Sequence, residues 1–458
     1  MKDECGIFGI YSNDTSKEVS SLIYYGLYAL QHRGQESAGI STFDGKDTHS
    51  YREMGLLVDV FSNFDIEDLK GYSGIGHVRY STSGASLVEN CQPFRADFAG
   101  GTISISHNGE IINHSQLKDE LEADGVIFHS TSDSEVICHL VSRECVKTEN
   151  VMQAIENVCD KLQGAYSLII QINEDIYVVR DPNALKPCVL GKLDDTFTIA
   201  ASETVGLDVL GAEYIRDLKP GEILRLTDKL ESRIMEAAKT AIPGHCVFEY
   251  VYFARSDSVI DGKSVYQSRK NAGKILAQKF PADVDVVMAV PDSSISAAIG
   301  YAKESGIRYG EGLMKNRYVG RTFIMPTQEV RELAVKLKMN PIVNELKGKK
   351  IVLVDDSIVR GTTSKGLIKI IKAAGAKEVH LRIACPPVIS PCFYGVAMAS
   401  KEELIAANHS VDEIAEMLGV DSLGYIPLDD LVDAVGIPRD KLCMGCLTEE
   451  YPTEVPER

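Results

Sequence analysis

Basic residues are in short supply. The chain of 458 residues carries 48 Lys and Arg against 66 Asp and Glu, a formal charge of −18. A surface that acidic repels nucleic acid and anionic lipid, so neither is expected as a partner, although a small anion can still be held in a local basic pocket. Long hydrophobic runs are also missing. No stretch approaches the ~18 apolar residues of a membrane helix, and Met1-Lys2-Asp3-Glu4 is not expected to open a secretory leader. No membrane partner and a cytoplasmic location are therefore expected. Eleven cysteines in so long a chain, without a leader, do not suggest a disulfide scaffold. In a reducing compartment they read as reactive thiols or metal ligands. What remains is ordinary globular material, 44% apolar and 25% charged, long enough for two or three domains at roughly 150 residues each.

The two halves use different patterns. In the first, short β-like runs such as Gly74–Tyr80, Thr102–Ser106 and Tyr166–Ile172 are bounded by Gly, Asn and Ser, with helical stretches at Val19–Gln31 and Ser132–Cys145. An α+β domain on antiparallel sheets is expected. In the second, Asp283–Val290 and Lys350–Val354 are compact β-rich runs, each followed by a turn and a helical pattern. That is the pattern of βαβ units and a parallel sheet. The seam is expected near 232–245, where a polar stretch gives way to Ile242-Pro243-Gly244.

The segment from Ile351 to Ser364 is the most informative. A buried strand ends in Asp355-Asp356-Ser357, and after Arg360 a Gly361-Thr362-Thr363-Ser364 turn opens a helix. Ligands of open α/β sheets sit at the carboxyl ends of strands. The turn lets backbone N–H groups converge on a phosphate, with hydroxyls as further donors. Asp355 and Asp356 suit ribose hydroxyls or a shared Mg²⁺. A capped strand–helix turn with incidental acids is the plain alternative. The segment resembles the phosphoribosylpyrophosphate (PRPP) signature of type I phosphoribosyltransferases. By that resemblance Pro291-Asp292-Ser293-Ser294 is a pyrophosphate loop, and Ser293, Asp355 and Asp356 are the Mg²⁺ site. Between Met314 and Lys338, six cations (Lys315, Arg317, Arg321, Arg331, Lys336, Lys338) face two acids (Glu329, Glu332), a fitting lid for a pyrophosphate leaving group. Lys315, Arg317 and Arg321 are the stronger candidates to bind PRPP.

Near the start, Cys5-Gly6-Ile7-Phe8-Gly9-Ile10 reads alone as a strand with a buried cysteine. Four further segments accompany it: Leu30–Gly39, His77–Thr82, His107-Asn108-Gly109-Glu110 and Thr131–Glu135. Together they resemble the class II, N-terminal-nucleophile glutamine amidotransferases. The resemblance implies Cys5 as nucleophile with its own α-amino group as base, an oxyanion hole from Asn108 and the Gly109 N–H, and glutamine held by Arg79 and Asp133. An α-amino pKa near about 8 suits that base, and no histidine partner is needed, so His32, His77 and His107 are expected to be structural. A free Cys5 amino group requires removal of residues 1–4 as a propeptide.

Cys443-Met444-Gly445-Cys446 could ligate zinc, form a redox pair or do nothing. With Cys246 and Cys392 in their surroundings, it resembles the four-cysteine [4Fe–4S] site of one amidotransferase subclass, with a Cys₄ zinc site as the physical alternative. The other cysteines carry no assignable role. The whole chain from Cys5 resembles the glutamine PRPP amidotransferase family, including the segment Lys315–Phe323. The family implies domains at 5–235 and 246–458, an antiparallel Ntn glutaminase followed by a parallel-sheet phosphoribosyltransferase. It also implies 5-phosphoribosylamine formation from glutamine and PRPP, Mg²⁺ and [4Fe–4S] cofactors, inhibition by purine nucleotides, and a homotetramer. Tyr252 matches a family residue at the interdomain ammonia channel, or else is plain packing. Glucosamine-6-phosphate synthase shares the first half but lacks the 351–364 segment. A non-catalytic PRPP-sensing regulator would not need Cys5, Arg79, Asn108, Gly109 and Asp133.

Overall fold

The computed structural model describes residues 5–80, 86–316, 339–396, 398 and 400–456. Strand alternation builds the first half. In β1 (Gly6–Ser12), Ile7 faces one side and Phe8 and Ile10 the other, as a period of two requires. β1 pairs antiparallel with β2 (Ser73–Arg79) inside a seven-stranded sheet whose order is 213–217, 189–193, 197–201, β1, β2, 37–43, 48–54. A second antiparallel sheet of six strands runs 231–234, 222–226, 175–180, then β4 (Gly164–Ile172), β3 (Gly101–Ile111) and 94–98. Ile7 and Ile75 of the first sheet meet Ile169, Ile176 and Val178 of the second in a shared core.

Each outer face is covered by helices. α1 (Ser20–Ala29) lays Ile23 and Leu27 on Phe8 and Ile10. α2 (Asp133–Lys147) lays Val136 and Ile137 against Ile103, Ile105, Leu168 and Ile170. The result is a helix–sheet–sheet–helix sandwich, with antiparallel sheets between helices as expected. β3 runs five residues past the expected Ser106, because its pairing with β4 continues through Asn108 and Gly109 to Ile111.

The second half is a four-stranded parallel sheet in the order β5 (Val286–Ala289), β6 (Lys350–Asp355), β7 (Glu378–Ile383), β8 (Ser422–Tyr425). α3 (Val265–Lys279), α4 (Ile295–Ser305) and α5 (Thr362–Ala373) belong to its cover. β5 is shorter than the expected 283–290, because Asp285 caps it by exchanging hydrogen bonds with Lys350. The central strands β5 and β6 are buried but for Lys350 and carry continuous apolar runs, as strands covered on both faces should. No helix among the described residues is long and apolar enough to cross a membrane.

Candidate active sites

The first site lies where the ends of the two stacked sheets meet. Cys5 immediately precedes β1 and is 8% exposed; its Sγ–H points to the carbonyl of Tyr80 at 3.6 Å. Antiparallel pairing of Gly6 with Val78 puts the next residue, Arg79, across from Cys5, and Arg79 is buried with Glu36 at 4.0 Å. A hydrogen bond of 3.0 Å between His77 Nε2 and the His107 carbonyl ties β2 to β3 just before Asn108. Burial holds the His77 pKa down at about 3, so the ring is neutral at pH 7. That suits a structural tie.

Asn108 is 1% exposed and its Nδ2 has no hydrogen-bond partner among the described residues. A buried donor left unpaired costs about 1–3 kcal/mol, so natural structures seldom keep one without use. Next to it, Gly109 has φ +146°, and a Cβ there would lie 1.9 Å from the Ala165 carbonyl oxygen. No side chain fits. The backbone there is shaped by the absence of one.

Asp133 opens α2 and is buried beneath this strand. Its Oδ2 accepts the Ile111 N–H at 3.0 Å and lies 3.7 Å from His107 Nδ1. Burial alone would raise its pKa, but the His107 ring and the Ile111 N–H hold it down to about 2. An ionised carboxylate is thus kept ready for an ammonium group. Ser134 fixes the His107 ring, its Oγ 3.0 Å from Nδ1, and Gln92 braces both Ser134 and the His107 N–H. Gln92 and Ser134 are buried supports that the sequence did not single out, because nothing local distinguishes a polar residue that will serve another's ring.

The second site caps the parallel sheet. Asp355 ends β6, and Asp356 and Ser357 follow it. Ser293 Oγ donates to Asp356 Oδ2, Ser294 Oγ to Asp355 Oδ1 at 3.2 Å, and Ser357 Oγ to Asp356 Oδ1 at 2.6 Å. Burial, and then the Asp356 carboxylate beside it, push Asp355 well above the usual carboxylate range. Two adjacent acids, each accepting from its own serine hydroxyls, are a hard-oxygen donor set that a divalent cation would relieve, so the residues fit Mg²⁺. Gly361 sits at φ +73° as the cap of α5, followed by exposed Thr362 and Thr363 and buried Ser364. Arg360 is exposed and paired with Glu403 at 2.8 Å; Lys315 pairs with Asp292 of the 291–294 loop at 2.8 Å. Arg317 and Arg321, like residues 1–4, lie outside the described residues. A pocket beside the acids is lined by residues that include Ser293, Ser294, Asp356, Tyr250 and Arg269. Arg269 is a further residue that sequence reading missed. It is 4% exposed and donates to the Tyr250 and Ala254 carbonyls at 2.8 and 2.7 Å.

Between the sites runs the turn Glu249–Phe253, which carries half-buried Tyr252 edge-on to Phe253. On its other side Cys246 pairs in register with Cys443, in a short ladder of 245–246 with 442–443. Among the described residues no group of three or more His, Cys, Asp or Glu is drawn together as a ready metal site. Cys246, Cys392, Cys443 and Cys446 nonetheless line one small pocket, together with Lys186. Lys186 is 1% exposed. A buried cation beside four sulfurs suits thiolate ligation, which brings negative charge into the interior.

Two centres, one with a buried thiol ahead of β1 and a buried amide donor on β3, the other with adjacent acids before a glycine turn, fit a glutamine amidotransferase domain joined to a phosphoribosyltransferase domain. Family models agree: a glutamine amidotransferase domain matches residues 77–208 and a phosphoribosyl transferase domain residues 260–387. The chain is 59% identical to the amidophosphoribosyltransferase of Methanothermobacter thermautotrophicus, covering 100% of this chain and 96% of the relative. It is 53% identical to that of Methanocaldococcus jannaschii, with 98% of both covered. The solved glutamine PRPP amidotransferase of Bacillus subtilis, complexed with ADP and GMP, superposes with a TM-score of 0.92 at 43% identity, covering 99% of this chain and 98% of that one. The chain belongs to the amidophosphoribosyltransferase family. It is a glutamine-dependent pentosyltransferase of purine biosynthesis.

Proposed function

We propose that nitrogen is freed at Cys5 and captured at the Asp355–Ser364 turn, in the reaction glutamine + PRPP + water → 5-phosphoribosylamine + glutamate + pyrophosphate. The observation that carries this reading is the buried Asn108 amide with its unpaired Nδ2, one residue before a glycine-only peptide. Such a pair can stabilise an oxyanion without reorganising. Arg79 holds the glutamine carboxylate and Asp133 its ammonium. Cys5 Sγ attacks the side-chain carbonyl and passes its proton to the Cys5 α-amino group. Ammonia leaves, and water hydrolyses the thioester to glutamate. The base is available only if residues 1–4 have been cleaved off.

Ammonia must reach the ribose unprotonated, since ammonium is no nucleophile. Tyr252, in the turn between the centres, is assigned to that path. At the second site the Gly361 turn with Thr362, Thr363 and Ser364 holds the 5-phosphate, and Asp355 and Asp356 hold the ribose. Ser293, Asp355 and Asp356 would hold Mg²⁺, which when bound neutralises charge on the departing pyrophosphate. Lys315, Arg317, Arg321 and Arg360 add cationic contacts to PRPP. The four cysteines at 246, 392, 443 and 446 are assigned to a structural [4Fe–4S] cluster. Domains at 5–235 and 246–458 are supported by the first half's last strand ending at Ile234 and the Cys246 ladder starting at His245. Inhibition by purine nucleotides at the phosphate turn, a homotetramer and a cytoplasmic location complete the reading.

The test is glutamate release with and without PRPP, on the parent and on Cys5→Ala, alongside mass spectrometry of the amino terminus. Loss of the glutamine-driven reaction with retention of the ammonia-driven one is expected. A fully active chain that keeps Met1 would overturn the α-amino base.

A further inference from the structure

Arg33 has no assigned role, yet with Arg180 it is among the largest fully buried side chains of the described residues. Its Nε donates to the Cys5 carbonyl at 2.9 Å, so it grips the peptide of the residue taken as nucleophile. A guanidinium buried there needs its charge balanced. Glu203 of the first half accepts from Nη1 at 2.6 Å. Glu249, from the turn that opens the second half, takes Nη2 at 2.6 Å and Nη1 at 3.0 Å, a two-point clamp on a planar fork. Glu203 is itself tied across the seam, its Oε2 accepting from Ser258 Oγ at 2.5 Å and from the Arg255 N–H at 3.0 Å.

A separate contact reaches the same centre. A Cβ on Gly395 would lie 3.0 Å from the Gly109 carbonyl carbon and 3.1 Å from its oxygen, and Gly395 has φ +95°. The loop after Cys392 therefore lies directly on the Gly109 peptide, where any side chain would push it. Two peptides of the glutaminase centre, the one that follows Cys5 and the one that follows the Gly109 N–H, are thus contacted from the other half of the chain.

We propose that the phosphoribosyltransferase half supplies two positioning elements of the glutaminase centre: Glu249, acting through Arg33 on the Cys5 peptide, and the Gly395 backbone, bracing the Gly109 peptide. The proposal rests on the assignment of Cys5, Asn108 and Gly109 made above. The α-amino base and the thiol hang from the same Cα whose carbonyl Arg33 holds, so a turn of that peptide moves both. The first half alone would then carry every group that touches glutamine and still be a poor glutaminase.

The test uses the full chain with Glu249→Gln, Glu249→Ala and Gly395→Ala, and Cys5→Ala as reference. Each variant is read for glutamate release, for ammonia-driven phosphoribosylamine formation and for thermal melting. A misplacement of about 1 Å costs on the order of 100-fold. Glu249→Ala should therefore lower kcat for glutamate release by about that factor with little change in KM, while the ammonia-driven rate persists. Glu249→Gln, which keeps one acceptor oxygen for Arg33, should recover part of the loss. Gly395→Ala should lower the same kcat. Should Glu249→Ala melt early, Glu249→Gln and Gly395→Ala decide the matter. Unchanged kcat in those two variants, or an equal fall of the glutamine-driven and ammonia-driven rates, overturns the proposal. Glutamate release surviving in Cys5→Ala would instead overturn the nucleophile assignment, since that variant leaves both contacts in place.

Discussion

Asn108→Ala removes a side-chain amide that is 1% exposed and whose Nδ2 meets no partner among the described residues. Two effects on folding oppose one another. Truncation loses packing, while removal of an unpaired buried donor relieves about 1–3 kcal/mol. The net change in stability should stay within about 1 kcal/mol. Catalysis should respond quite differently. An oxyanion-hole donor is typically worth about 2.7–4 kcal/mol in the transition state, a factor of about 100 to 1,000 in kcat. The assay is steady-state glutamate release with PRPP present, set beside ammonia-driven product formation and a melting curve. Glutamate kcat should collapse, KM should hold, and the other two readouts should barely move. A kcat within about threefold of the parent would refute the reasoning. So would a raised KM with kcat intact, because that pattern marks a contact made equally in the ground state.

Asp356→Asn removes one of the two adjacent acids, the one that accepts from Ser293 and Ser357, and should weaken PRPP and Mg²⁺ binding in titrations with either ligand while sparing PRPP-independent glutamine hydrolysis. Asp133, its pKa held at about 2 against roughly 4 when unfolded, contributes stability present above about pH 4 and lost as pH falls toward 2. Because the native state binds fewer protons across that window, roughly 2 kcal/mol should disappear, and denaturant melts of Asp133→Asn should show a flatter acid limb. Anaerobically purified protein is expected to show broad visible absorption with iron and acid-labile sulfide, and Cys443→Ser is expected to abolish all three. A colourless parent holding zinc would assign the four-cysteine cavity to the alternative metal.

Both fold classes were legible in the sequence, and the candidate side chains could be named there, for a physical reason. Strand periodicity, Gly361 before its threonines, and Cys5 ahead of an apolar strand are local patterns, and local chemistry selects local backbone. Alternation of Ile7 with Phe8 and Ile10 was enough to specify a strand with two buried faces. The supports were not legible. Gln92, Ser134, Glu203, Arg269 and Gly395 are ordinary residues until folding carries them across long stretches of chain to a partner.

The amino-acid order by itself thus determined which groups could do chemistry and on what kind of element each would sit. Tertiary structure alone decided how those groups are held: that Asp133 stays ionised under β3 beside His107, and that burial, with Asp356 beside it, pushes Asp355 well above the usual carboxylate range. It also decided that Arg33 bridges the Cys5 carbonyl to a carboxylate of the other half. Burial and the company of other charges set such properties, and neither exists until the chain has closed on itself.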